Sequence, residues 1–145
     1  MNFQYRILGR IPHLIGRLAV QNRSFEADGL DAATFALAEA RAMGDEELVE
    51  LYEQQQADEV LHIRFANEWI RRQVAGDPRN VLKMAAGLTQ GATAFGQVME
   101  GGGTHVSKYG VAEQERLEAG FEPDEVKVSV KLARERIAAA QREGG

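Results

Sequence analysis

The sequence contains no cysteine. Disulfides, thiolate metal sites and cysteine nucleophiles are thereby excluded, and a reducing, cytoplasmic setting is the expectation. No apolar run approaches the roughly 20 residues that a membrane-spanning helix needs. The stretch from Met1 to Arg10 mixes polar and apolar residues, unlike a signal peptide. Positive charge is neither abundant nor clustered: 17 Lys and Arg stand against 22 Asp and Glu, for a net charge of −5. A non-specific nucleic-acid binder needs a basic face, and none stands out, so no nucleic-acid partner is expected. Internal repeats, low-complexity segments and β-hairpin signals are also missing. What remains is a 145-residue chain, 44% hydrophobic and 27% charged. That is enough for one domain with a real core.

The patterning is helical throughout, and the expected fold class is all-α. Residues 5–28 read as a first helix, with Pro12 near its start. Its apolar face carries Ile11, Ile15, Leu18, Ala19, Asn22 and Glu26. Gly29 is the expected stop, and Asp31 the N-cap of a short segment from Ala32 to Met43 that ends at Gly44. Asp45 is the expected cap of a long helix running to about Arg72 and broken by Gly76, with Glu46 and Glu47 in its first turn. Asp77-Pro78 restarts the chain. Val81, Ala85, Leu88, Ala92, Phe95 and Met99 then form an apolar stripe. Gly87, Gly91 and Gly96 either weaken that helix, by about 1 kcal/mol each relative to Ala, or admit a close neighbour. Residues 1–100 are the expected helical core. Gly101-Gly102-Gly103 opens a helical tail, residues 101–145, with helices over 111–119 and 123–141. The Val126, Val128, Val130 alternation mimics a strand, but its Lys, Glu and Ala content favours helix.

Chemistry concentrates in Asp58-Glu59-Val60-Leu61-His62. Glu-x-x-His puts both side chains on one helix face, one turn apart. That spacing alone is weak. Its merit is the stripe it falls on: Leu48, Tyr52, Gln55, Glu59, His62, Ile63, Ala66, Trp69 and Ile70, a face that should pack into a core. A carboxylate there needs a partner, a proton or a metal. Glu26 falls likewise on the apolar face of the first helix. Carboxylate and imidazole donors without sulfur suit iron, manganese or zinc. Tyr52 and Trp69 read as core aromatics. Asn22 and Gln55, each one turn before a ligand, are either supporting donors or solvated side chains. Asp58 faces solvent, Asp28 and Asp31 belong to helix ends, and Arg23 reads as a surface ion-pair partner. His13 and His105 have no role.

Di-iron and di-manganese carboxylate proteins build their site from four helices. Two give one Glu each and two give Glu-x-x-His. This chain shows one of each, three ligands of six. Symmetry supplies the remedy: a two-fold dimer would complete a four-helix bundle around two metals. A different chain is the alternative source of the other half.

The runs Arg23–Asp31, Gly44–Leu48 and Asp58–Ile63 carry a family resemblance. So do Asn67-Glu68-Trp69 and Glu118-Ala119-Gly120-Phe121. They resemble the rear half of an uncharacterised bacterial ferritin-like family, a domain of unknown function, over roughly residues 14–126. The resemblance implies a ferritin-like helix pair with a C-terminal helical tail, and Glu26, Glu59 and His62 as metal ligands. Members of that family carry a front half with its own Glu and Glu-x-x-His, and this sequence begins where that half should end. The expected protein is therefore a homodimer, or a chain paired with one that supplies the other half. It would hold two divalent ions per dimer, iron or manganese, with zinc a third candidate. Oxidase, oxygenase or ferroxidase chemistry is implied by that kind of site, making the protein a candidate di-iron oxidoreductase. The contrasting expectations are a non-catalytic helical dimerisation or assembly subunit, and half of a larger ferritin-like protein.

Overall fold

The computed structural model describes residues 3–99 and 110–143. Among the described residues every regular element is helical, as the sequence patterning requires. The order is α1 (Phe3–Leu8), α2 (Leu14–Val20), a π-helical turn (Gln21–Phe25), α3 (Glu26–Met43), α4 (Glu46–Gly76), α5 (Asn80–Met99), α6 (Glu113–Glu118) and α7 (Pro123–Glu143). No described helix is long and apolar enough to cross a membrane. The glycine run 101–103 and His105 lie outside the described residues. Backbone contacts divide the described chain into two packing units. Residues 3–26 and 65–99 form one, and residues 27–64 and 110–143 the other.

The first unit packs α2 chiefly against α5. Ile7, Ile11, Val20 and Ala94 make one buried cluster, and Ile15, Ala19 and Ile70 a second. Phe3, Phe25 and Phe95 stand in contact beside them, with ring centroids 5.6 to 6.3 Å apart. The face that α5 buries matches the expected stripe only in part: Leu88 packs against both clusters and Phe95 joins the aromatic trio. Gly87, Gly91 and Ala94 are buried, whereas Val81, Ala85, Ala92 and Phe95 are exposed. The reason is backbone proximity. A Cβ at Gly87 would lie 2.5 Å from the Cα of Gly16, and one at Gly91 would lie 2.7 Å from a Val20 methyl carbon. Only glycine permits that approach, so small residues form the centre of the contact, while Met84 and Leu88 pack against the same clusters. Gly96 has no such neighbour.

The expected first helix is divided. α1 stops at Leu8, and α2 restarts at Leu14 beyond Pro12, whose missing N–H suits a helix entrance. The expected stop at Gly29 is absent: α3 runs through it to Met43. The stop that does occur is Gly44, at φ +72°, the left-handed conformation that ends helices. The Asp45 carboxylate then accepts the Leu48 N–H at 3.1 Å, capping α4 as the sequence indicates.

The second unit has an apolar core of Ala27, Leu30, Val60, Ile63, Ala119, Phe121 and Val126. Leu30 and Ile63 are fully buried, and such side chains each contribute about 1.5–3 kcal/mol of transfer free energy. Asp31 is not an N-cap. It is buried, accepts the Ala112 N–H at 2.9 Å, and forms a two-pronged pair with Arg116 at 2.9 and 2.6 Å. Arg116 also lies 5.4 Å from the centroid of the Phe121 ring. The Arg64 guanidinium donates twice to the Glu118 carbonyl, at 3.0 and 2.8 Å, where α6 ends. Gly120, at φ +83°, turns the chain towards α7. Val126, Val128 and Val130 are helical, so the strand-like alternation is incidental.

Candidate metal centre

Glu26 opens α3 directly after the π-helical turn. There its own N–H donates to the carbonyl of Gln21, five residues back. A π turn inserts an extra residue into the helical register and re-aims the side chains that follow it. Asn22, buried within that turn, donates its side-chain amide to one Glu26 carboxylate oxygen. The Gln21 amide lies 3.5 Å from the other. Glu26 is thus held by donors from its own N-terminal side. Of the two readings open for Asn22, that of a supporting donor is the one realised.

Glu59 and His62 project from α4 one turn apart. Glu59 is half-buried, and its Oε2 atom is sealed from solvent. α3 lies against it: a Cβ at Gly29 would sit 3.5 Å from Glu59 Oε1, ordinary contact. Since α3 continues without interruption from Glu26 through Gly29, the same helix pair brings Glu26 to the carboxylate of Glu59. Glu26, Glu59 and His62 each offer a ligand atom, and these atoms all lie within 4.8 Å of one another.

His62 departs from expectation. The sequence stripe places it in the core with Glu59, but it is exposed. The buried arc of α4 runs through Val60, Ile63, Ala66 and Ile70, and His62 falls at its edge. The cluster is therefore enclosed on the Glu59 side and open on the His62 side.

The donor set fits a divalent cation. Two carboxylates side by side repel each other and favour a positive charge between them. Ligand bonds of about 2.0–2.2 Å place opposite donors about 4.2 Å apart, so small rotations would bring these three onto one ion. Oxygen and nitrogen donors without sulfur suit iron, manganese or zinc.

The surrounding residues sort plainly. Tyr52 is half-buried, and Trp69 is at the surface with 38% exposure. Gln55 is exposed, and it is Gln56 that reaches α3, donating to Thr34 Oγ1 at 2.9 Å. Asp58 faces solvent as expected, and His13 is exposed at the entrance to α2. Asp28 is no helix end either: it lies 3.5 Å from Arg116, near the Asp31 pair. Desolvation by nearby protein raises its carboxyl above the ordinary value, partly opposed by the Arg116 charge. Because 77% of that side chain remains exposed, solvent screening keeps the energetic consequence small. Gln21 and Gly29 are missed by sequence reasoning. A glycine one turn after a helical carboxylate, on the same face, was the available signal for Gly29.

The family model described as "Protein of unknown function (DUF455)" matches residues 10–127. The chain belongs to this family. No curated protein and no solved structure matches it. Since the DUF455 description names no activity, the functional reading rests on the donor set.

Proposed function

We propose that this DUF455 protein is a ferritin-like metal carboxylate protein in which Glu26, Glu59 and His62 form half of a di-metal site. The observation that carries the reading is the convergence of these three ligand atoms within 4.8 Å. Two helices contribute them, in the Glu plus Glu-x-x-His pattern of one half of a di-metal bundle. On this reading the chain corresponds to the rear half of that bundle. A second copy supplies the other three ligands, giving two ions per dimer, with a separate partner chain as the alternative source.

Within this chain Asn22 and Gln21 hold Glu26 in orientation, the core around Val60 and Ile63 fixes Glu59, and His62 completes the set from the open side. Bound iron would supply oxidase, oxygenase or ferroxidase chemistry, bound manganese a related redox centre, and bound zinc a Lewis acid. A cysteine-free chain suits a reducing cytoplasm, the proposed location.

Metal analysis of the purified full chain tests the reading. Iron, manganese or zinc should be present, or be taken up on mixing with the divalent ion. Glu59→Gln and His62→Ala should each abolish uptake while circular dichroism shows the helices intact. A metal-free chain that takes up none of the three ions sinks the proposal. It would leave the second reading, a non-catalytic helical assembly subunit, which is favoured by the large apolar side chains that α4 exposes, Leu51, Leu61 and Phe65.

A further inference from the structure

α4 is apolar on two arcs. The first is the buried one through Ile63, Ala66 and Ile70. The second is exposed: Leu61 at 57%, Phe65 at 64% and Trp69 at 38%, aligned at steps of four. A helix that is apolar well beyond one face has a second contact to make. This second arc also carries charge in a definite order. Asp58 precedes it and Arg72 follows it, both exposed. The series Asp58, Leu61, Phe65, Trp69, Arg72 is stepped three, four, four, three, symmetrical about Phe65.

We infer that this stripe is the face on which a second copy of the chain docks, antiparallel, about a two-fold axis at Phe65. A two-fold interface must be self-complementary, and this series is. Phe65 meets the partner's Phe65, Leu61 meets the partner's Trp69, and Asp58 meets the partner's Arg72. The acidic and basic ends would coincide with like charges in a parallel pairing, so the charges select the antiparallel one. The inference deepens the metal-site proposal and rests on it in one respect. His62 borders the stripe, so docking closes the open side of the cluster. It also sets His62 about 9 Å along the helix axis from the partner's His62, six residues at 1.5 Å each.

The test uses the full chain in sedimentation velocity, with charge reversals at two residues that are not ligands. The wild-type chain should be a dimer, and Phe65→Glu a monomer at the same concentration. Asp58→Arg and Arg72→Asp alone should each weaken the dimer about tenfold, by replacing opposite charges with like ones. Asp58→Arg with Arg72→Asp should restore it, because the pairing is re-formed with the signs exchanged. A monomeric wild type, a dimeric Phe65→Glu, or a double variant no tighter than the singles each overturns the inference. Metal uptake, read separately, keeps the two proposals apart. A dimer without metal removes the site and leaves the interface; metal uptake by a chain whose mass ignores Phe65→Glu does the reverse.

Discussion

In the first packing unit the closest approach is between backbones. Gly16 and Gly87 touch where any side chain would collide, and Gly91 receives the Val20 side chain. In the second unit the tightest tie is between side chains: Asp31 and Arg116 pair out of water, with the Ala112 N–H on the same carboxylate. One unit is specified by what is left out, the other by a charge that must be matched. The two devices fail differently. A glycine contact fails when an atom is added, and a buried pair fails when one is taken away.

The largest effect should come from the pair. Arg116→Ala leaves a buried carboxylate uncompensated and should lower stability by about 3–5 kcal/mol. Replacing both partners, Asp31→Leu with Arg116→Met, removes the desolvation penalty as well as the attraction, and should cost much less than either loss alone. Denaturant unfolding of Arg116→Ala and of the double variant measures this, and equal losses in the two would contradict the account. Next comes Gly87→Ala. Its methyl would meet the Gly16 backbone, and overpacking of that kind costs about 1–3 kcal/mol. Gly96→Ala is the matched control on the same helix. Open space surrounds that position, so the better helix former should gain up to about 1 kcal/mol. Thermal unfolding of this pair should therefore give shifts of opposite sign.

The smallest effect concerns pH. At the entrance to α5 Asp77 accepts bonds from the Arg79 side chain and N–H, which lowers its carboxyl below the ordinary value of 3.8. A carboxylate with a depressed folded-state pKa contributes stability above that ordinary value and loses it as pH falls through the folded one. Asp77→Asn should thus narrow the stability gap between neutral and strongly acid solution, and by little, because its Arg79 partner is exposed and solvent screens the pair.

These contrasts also mark how far the sequence could be read. Helix ends set by local chemistry were legible: Gly44 with Asp45, and Gly76 with Asp77, each act within a few residues. The cluster of Glu26, Glu59 and His62 was legible as well, because Glu26 and the Glu59/His62 spacing stand out against apolar stripes. Asp31 was misassigned because its partner is 85 positions away, and a local rule offered a cap instead. The centre of the packed face of α5 was misassigned because hydrophobicity ranks Val81 above Gly87 and Gly91, and the close approach that reverses that order depends on a distant glycine. The openness of the cluster on its His62 side was illegible for a related reason. Helical spacing gives the angle of His62 but not the edge of the buried arc.

Calorimetric titration of Mn(II) into the metal-free full chain tests the central claim most directly, with the near-isosteric Glu59→Gln as reference. The account predicts saturable binding of about one ion per chain, since six ligands shared by two ions leave three donors for each, and loss of that binding in Glu59→Gln with helix content unchanged. No saturable heat in the wild-type chain, or the same isotherm in both proteins, would contradict it.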